Sequence, residues 1–219
     1  MVYPTIIVDN FFKHPDIVLD LASKISYQKD LEGHFPGERS DHLHINNFNF
    51  FNYVNSKIIS TIYPTCFKEI NYTAKTFFQK ISGKRYPHEG WIHKDSDEIT
   101  AIVYLSKHKN CGTSLWKRKD FGGNKLVGHK KEDFNKKDFF DKESLFYLKQ
   151  SNDMFEKTLT IDSYLNRLVL FDSNNWHSAE NLLDKNNEED RLTLISFIDN
   201  INKENSALKY SINESLKLD

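Results

Sequence analysis

The chain has 219 residues, and 30 Lys and Arg against 31 Asp and Glu give a formal net charge of −1. A charge so close to zero provides no broad field toward nucleic acid or an anionic membrane, so neither partner is expected. The two cysteines, Cys66 and Cys111, do not make a disulfide framework and favour a reducing, cytoplasmic location. No apolar run approaches the roughly 18 residues of a membrane span, and the N-terminus lacks the basic region of a signal peptide.

The first third of the chain carries helical patterns. Residues 5–8 predict a short strand, and residues 17–25 place apolar side chains at helical spacing. A second helix is predicted from Asn52 to Tyr63 because a proline follows it directly. Residues 30–47, between the two helices, are rich in Gly, His and Asp and are predicted to be loop.

From about residue 71 the periodicity becomes that of strands. The expected strands are 72–79, 99–106, 113–118, 159–165, 167–172, a short segment after residue 177, and 191–199. This order predicts a mainly β fold, a jelly roll (cupin-like double-stranded β-helix) with N-terminal helices packed outside.

One domain is expected over residues 1–219, because the chain is long enough for one sizeable core. It would comprise a helical part at 1–70, the jelly-roll core at 71–199 and a tail at 200–219. The insert at 119–157 is longer than a normal connection, and either a substrate-binding lid or a surface insertion without a role would explain it.

A candidate metal site begins at His93 and Asp95. Side chains two residues apart in an extended segment lie on the same edge, so the two can occupy adjacent positions around a metal ion. A third ligand would complete a 2-His-1-carboxylate triad, which holds non-haem Fe(II). The His-x-Asp spacing alone is weak evidence for a metal site, because His14-Pro15-Asp16 has the same spacing in a segment typical of a helix start.

The second half of the candidate site lies near the end of the chain. An apolar strand at 168–172 ends in a polar turn, and His177 follows at once. In the last strand, Arg191 and Thr193 share one face. An arginine on an inward face is unfavourable unless a carboxylate or phosphate meets it, and guanidinium pairs bidentately with a carboxylate.

These motifs together resemble the Fe(II)/2-oxoglutarate-dependent oxygenases of the prolyl-4-hydroxylase-like branch. The resemblance covers about residues 72–199. It rests on the following segments in chain order: His93-Lys94-Asp95, Ile102-Val103-Tyr104-Leu105-Ser106, Cys111-Gly112-Thr113, Leu168-Val169-Leu170-Phe171-Asp172, His177 and Arg191-Leu192-Thr193.

The resemblance implies a metal and two co-substrates. His93, Asp95 and His177 would bind Fe(II), with 2-oxoglutarate and O2 as co-substrates. The implied activity is hydroxylation of a small-molecule or peptidyl substrate, coupled to decarboxylation of 2-oxoglutarate. A carboxylate at position 95 argues against a halogenase, which needs that coordination position for halide.

The resemblance also implies which residues bind the distal carboxylate of 2-oxoglutarate. Arg191 would pair with it, helped by Tyr104 and by Thr193. Lys117 and Arg118 are alternatives, because a base on that middle strand serves in other branches of the superfamily.

Other functions remain open. A cupin-like metal enzyme without 2-oxoglutarate and a non-catalytic jelly-roll binding module would both suit the fold. A nucleic-acid demethylase is disfavoured, because those enzymes carry a second arginine where this chain has Phe197. His42, His44 and His88 could in principle bind another metal, but no spacing supports it. The oligomeric state is left open.

Overall fold

A computed structural model describes residues 3–81, 88–119, 131, 135, 142–184 and 189–202. Within them the strands are β1 (Ile6–Val8), β2 (Tyr27–Lys29), β3 (Glu38–Ser40), β4 (Thr73–Ile81), β5 (Ile99–Tyr104), β6 (Thr113–Arg118), β7 (Phe155–Ile161), β8 (Leu168–Asp172), β9 (Trp176–Ala179) and β10 (Arg191–Asp199). The helices are α1 (Pro15–Lys24), α2 (Leu43–Asn46), α3 (Phe48–Ile62) and α4 (Lys142–Asn152), with a 3-10 turn at Phe67–Glu69. None of these helices combines the length and apolar character needed to cross a membrane.

Two antiparallel sheets form the core. The larger has the order β1-β8-β5-β10-β4-β3-β2, and the smaller has the order β7-β6-β9. Alternation along β5 separates the two faces of the larger sheet. Ile99, Ala101 and Val103 join the core formed with α1 and α3, whereas Ile102 and Tyr104 pack toward the smaller sheet. The helices therefore cover the outside of a two-sheet sandwich.

The side chains of strand β10 also alternate between the two faces of the larger sheet, and those on the inner face form part of the candidate site. Leu194 and Ile198 belong to the core on the helix side. Arg191, Thr193 and Ile195 line a cavity on the opposite face. Because β10 lies between β4 and β5, these three side chains reach the centre of the larger sheet's inner face.

The mainly β prediction, with N-terminal helices packed outside, is confirmed. Strands β1, β4, β5, β6, β8, β9 and β10 begin within two residues of their predicted starts, and both predicted helices are present. The second of them, α3, begins at Phe48 rather than Asn52. The Asn47 side chain explains the earlier start, because it caps the helix by accepting a hydrogen bond of 3.1 Å from the Phe50 backbone N–H.

Two predictions of local structure are wrong. Residues 30–47 are not all loop, since they contain β3 and α2. Strand β7 occupies 155–161 rather than 159–165. The insert at 119–157 contains α4 and the start of β7. Residues 120–130, 132–134 and 136–141 of the insert, and 203–219 of the tail, lie outside the described residues, and the division into one domain stays a prediction.

Candidate metal centre and anion pocket

The backbone brings His93 and His177 together. The His93 N–H donates to the carbonyl of His177 at 3.0 Å, and the His177 N–H donates back at 2.9 Å, as an isolated antiparallel bridge. Directly opposed residues project their side chains to the same side, and the two ring centroids are 4.5 Å apart. The Asp95 N–H donates to the carbonyl of Ser173 at 3.1 Å, which fixes the carboxylate beside them.

His93, Asp95 and His177 form the one group of potential metal ligands found among the described residues. One ligand atom from each lies within 4.8 Å of the others. Nε2 of His177 is 3.1 Å from Asp95 Oδ2, and Nε2 of His93 is 3.6 Å from Asp95 Oδ1. The predicted triad is therefore assembled, whereas His42, His44 and His88 do not make a second such group.

Hydrogen bonds orient both imidazoles. Nδ1 of His93 is 2.8 Å from the carbonyl oxygen of Trp91, and Nδ1 of His177 is 2.8 Å from that of Asn175. A carbonyl oxygen only accepts, so each Nδ1 carries a proton, and Nε2 is the ring nitrogen left to face Asp95 and to bind a metal. The two Nε2 atoms and the carboxylate of Asp95 lie close together, so a cation bound between them would contact all three residues. The donor set therefore fits a divalent metal ion.

The charges in the triad suit metal ligands at neutral pH. Burial alone would raise the pKa of Asp95, but the hydrogen bond and charge of His177 hold that pKa below its usual range. Burial, together with the neighbouring charge of His177, lowers the pKa of His93 well below that of a free imidazole. Asp95 is consequently ionised and His93 neutral, which are the forms that bind metal.

Thr100, on the inner face of β5, supports the carboxylate. Its hydroxyl donates to Asp95 Oδ2 at 2.8 Å and lies 2.8 Å from the hydroxyl of Ser173. Groups that hold a ligand in place commonly change metal affinity by about 10–100-fold when removed. Thr100 was not singled out from the sequence, because a threonine in a strand carries no signal of its own.

We expect Thr100→Val to weaken Mn(II) binding about tenfold while preserving the fold, because valine keeps the shape but cannot donate to Asp95. Titration of the purified variant with Mn(II), followed by calorimetry, measures this. Thr73→Val is the control, since Thr73 is exposed and its hydroxyl bonds only to backbone and side-chain atoms near Asp199. Equal affinity in both variants would contradict a supporting role for Thr100.

A cavity of about 520 Å3 adjoins the triad, and Arg191 and Thr193 lie in its wall. Arg191 is 7% exposed, and its Nη2 donates to the carbonyl of Cys111 at 3.0 Å. Its Nε has no hydrogen-bond partner, and no carboxylate among the described residues pairs with it. Burial lowers the pKa of Arg191, which reflects the unfavourable position of a charge without a counterion. The pocket therefore fits an anion beside the metal centre.

Tyr104 does not line this pocket but contacts a residue that does. Its ring is buried, and its hydroxyl is 2.7 Å from the hydroxyl of Thr113. Thr113, rather than Tyr104, lines the cavity. The sequence signal for Thr113 was its place after Cys111 and Gly112 in the motif, although no role was assigned to it.

The alternative bases on β6 do not reach the pocket. Lys117 and Arg118 are exposed at the end of the strand and are not part of the cavity wall. The wall instead includes residues from the segment that was predicted as loop, among them Phe35 and Arg39. No periodicity in that segment distinguishes these side chains from a solvated loop.

Asn152, at the end of α4, anchors the backbone that leads into His93. Its Nδ2 donates to the carbonyl of Gly90 at 3.0 Å, and its Oδ1 accepts from the Ile92 N–H at 3.1 Å. Asn152 is 5% exposed, so both bonds are shielded from water. The helix within the predicted insert thus supports the metal centre.

We expect Asn152→Ala to lower the free energy of unfolding by about 2 kcal/mol, because two buried backbone groups lose their partners. Urea unfolding measures the change. Gln150→Ala, at an exposed position of the same helix, is the control and should change stability little. An Asn152→Ala protein as stable as this control would show that Asn152 does not hold the segment.

Comparison with known proteins places these features in context. The sequence matches the family model described as "Family of unknown function (DUF6445)" over residues 2–198. No curated protein matches it.

Several solved structures share the fold. The non-heme alpha ketoglutarate dependent epimerase SnoN from nogalamycin biosynthesis has a TM-score of 0.56 and 11% identity, covering 89% of this chain and 78% of that one. HygX from Streptomyces hygroscopicus, with nickel and 2-oxoglutarate bound, has a TM-score of 0.55 and 9% identity, covering 89% and 82%. These similarities confirm the predicted jelly-roll fold, while the prolyl-4-hydroxylase-like branch stays a prediction. The family match, which covers most of the sequence, shows that the chain belongs to the DUF6445 family.

Proposed function

We propose that the chain is a non-haem Fe(II)- and 2-oxoglutarate-dependent oxygenase, most simply a hydroxylase. The observation that carries the proposal is a buried guanidinium without a counterion in the same cavity as a 2-His-1-carboxylate set. A metal site alone would suit many cupin-like enzymes. The additional arginine calls for an acid with a carboxylate remote from the metal, and 2-oxoglutarate has that form. The fold is shared with SnoN, which is named an alpha ketoglutarate dependent epimerase, and with HygX, whose structure holds nickel and 2-oxoglutarate, and this supports the same conclusion.

His93, Asp95 and His177 would hold the iron. Bound there, Fe(II) supplies the redox chemistry that couples decarboxylation of 2-oxoglutarate by O2 to oxidation of a substrate. The chain's own contribution is to fix the ligands. The carbonyls of Trp91 and Asn175 keep each Nδ1 protonated, so that Nε2 remains available. The negative charge of Asp95 offsets part of the metal's charge.

Arg191 would bind the distal carboxylate of 2-oxoglutarate. Its Nε is free to donate, and the carboxylate would supply the missing counterion. Thr193 and Thr113 line the same cavity and offer hydroxyl groups. Burial of this wall keeps water away, which strengthens the ion pair. A volume of about 520 Å3 lies within the range of small-molecule sites, and it suits the co-substrate together with a small or peptidyl substrate group.

Calorimetric titration of Mn(II)-loaded protein with N-oxalylglycine, together with a succinate assay in the presence of Fe(II) and O2, tests the proposal. We expect binding that depends on the metal, and succinate formed from 2-oxoglutarate. Metal uptake without N-oxalylglycine binding would indicate a cupin-like enzyme that does not use 2-oxoglutarate. Failure to retain Mn(II) or Fe(II) would indicate a non-catalytic binding module.

A further inference from the structure

A second guanidinium, that of Arg39, lies in the wall of the same cavity. It sits on β3 between two aromatic rings, 3.9 Å from the centroid of Phe35 and 4.3 Å from that of Phe77. Its Nε donates to Gln79 Oε1 at 3.3 Å, and Gln79 Nε2 donates in turn to the carbonyl of Pro36 at 2.7 Å. Stacking and this hydrogen bond fix the plane of the guanidinium, which prepares it for bidentate binding.

Arg39 has no counterion among the residues that the structure describes. Within the described part of the chain its hydrogen bond is the one through Nε, so both terminal amino groups remain available. Burial lowers the pKa of Arg39 to about 9, with the charges of Asp95 and Asp30 opposing the shift, so the group is still charged at neutral pH. By contrast, Lys75 in the same wall already pairs with Asp97 at 3.2 Å.

The proposed cofactors would leave this charge uncompensated. The two positive charges of Fe(II) and the one of Arg191 are matched by Asp95 and by the two carboxylates of 2-oxoglutarate. Lys75 and Asp97 cancel each other. Asp30, whose charge also acts on Arg39, lies outside the cavity wall and pairs with His34. Arg39 therefore keeps a charge in the loaded cavity that attracts an anion.

We infer that Arg39, held between Phe35 and Phe77, binds an oxyanion of the substrate, either a carboxylate or a phosphate group. The inference rests on the proposed function and gives the substrate class as a small acid or phosphate ester. The oxyanion would lie against the β3–β4 wall, with the remainder of the substrate directed toward the triad. His42 lies in the same wall, and its buried Nδ1 has no hydrogen-bond partner among the described residues.

The test uses protein loaded with Mn(II) and N-oxalylglycine, so that the metal and Arg191 are occupied. Inorganic phosphate, acetate and acetamide are then titrated by calorimetry into the wild type, Arg39→Gln and Arg118→Gln. We expect Arg39→Gln to weaken binding of phosphate or acetate about tenfold or more. Arg118→Gln, at an exposed arginine outside the cavity, should match the wild type. The anion that shows the difference distinguishes a phosphate from a carboxylate substrate, and neutral acetamide should show no dependence on Arg39.

Equal binding of both anions by Arg39→Gln and the wild type would overturn the inference. If Arg39 only packs β3 against the sheet, Arg39→Gln will lower the melting temperature while its anion titrations remain those of the wild type, which also overturns it. Failure of the wild type to take up N-oxalylglycine would be seen before any anion is added. That result would reject the proposed function, and the inference would fall with it.

Discussion

Asp95→Asn is expected to weaken Mn(II) and Fe(II) binding at least about 100-fold and to reduce succinate formation to background. The change is nearly isosteric, and Thr100 can still donate to the amide oxygen, so the fold should persist. What is lost is the negative charge beside the two imidazoles. Without it, a divalent ion would leave water for a site with no compensating charge, which is unfavourable in a buried position.

Asp97→Asn is the matched control. Asp97 lines the same cavity, and its substitution removes the same charge, but its partner is Lys75 rather than the triad. Metal that binds only the native state stabilises it, by about 2.7 kcal/mol at a hundredfold excess over the dissociation constant. Added Mn(II) should therefore raise the melting temperature of the wild type and of Asp97→Asn by about 5–10 °C, but not that of Asp95→Asn. Equal metal-induced shifts in the two variants would exclude Asp95 as a ligand.

The sequence predicts the elements best where burial is one-sided and strong. Strand β10 runs from Arg191 to Asp199, as expected from its alternating pattern, because one face meets the helices and the other the cavity. The position of the edge strand β7 was predicted wrongly for the opposite reason. Its residues between Phe155 and Ile161 are exposed, so pairing with β6 rather than hydrophobic alternation sets its position.

The candidate site was likewise predicted only in part from the sequence. His93, Asp95, His177 and Arg191 were found because their residue types are chemically distinctive and their order matches a known family. Arg39 was missed because β3 is three residues long and lies in a segment rich in turn-forming residues. One of the two rings that flank it, Phe77, lies on β4 far away in the chain, and no local pattern encodes such a contact. The wall that would contact a substrate is thus the part least visible in the sequence.

Arg191→Met is expected to have opposite effects on stability and on binding. Methionine fills a similar space without charge, so the metal-free protein should gain about 1–3 kcal/mol in unfolding free energy, because a buried charge without a counterion is removed. The loss of one bond to the carbonyl of Cys111 reduces this gain. N-oxalylglycine binding to the Mn(II)-loaded variant should fall at least about 100-fold, since its carboxylate would be buried without a partner.

Arg167→Met separates this explanation from a general effect of losing an arginine. Arg167 pairs with Asp9, its Nη2 donating to Asp9 Oδ2 at 3.0 Å, and it lies outside the cavity. Its replacement should lower the unfolding free energy slightly, by at most about 1 kcal/mol, and leave N-oxalylglycine binding unchanged. Urea unfolding and calorimetry on both variants give the comparison. If Arg191→Met is destabilised like Arg167→Met, Arg191 already has a stabilising partner in the free protein. That result would contradict the proposal that its charge is left for the carboxylate of 2-oxoglutarate.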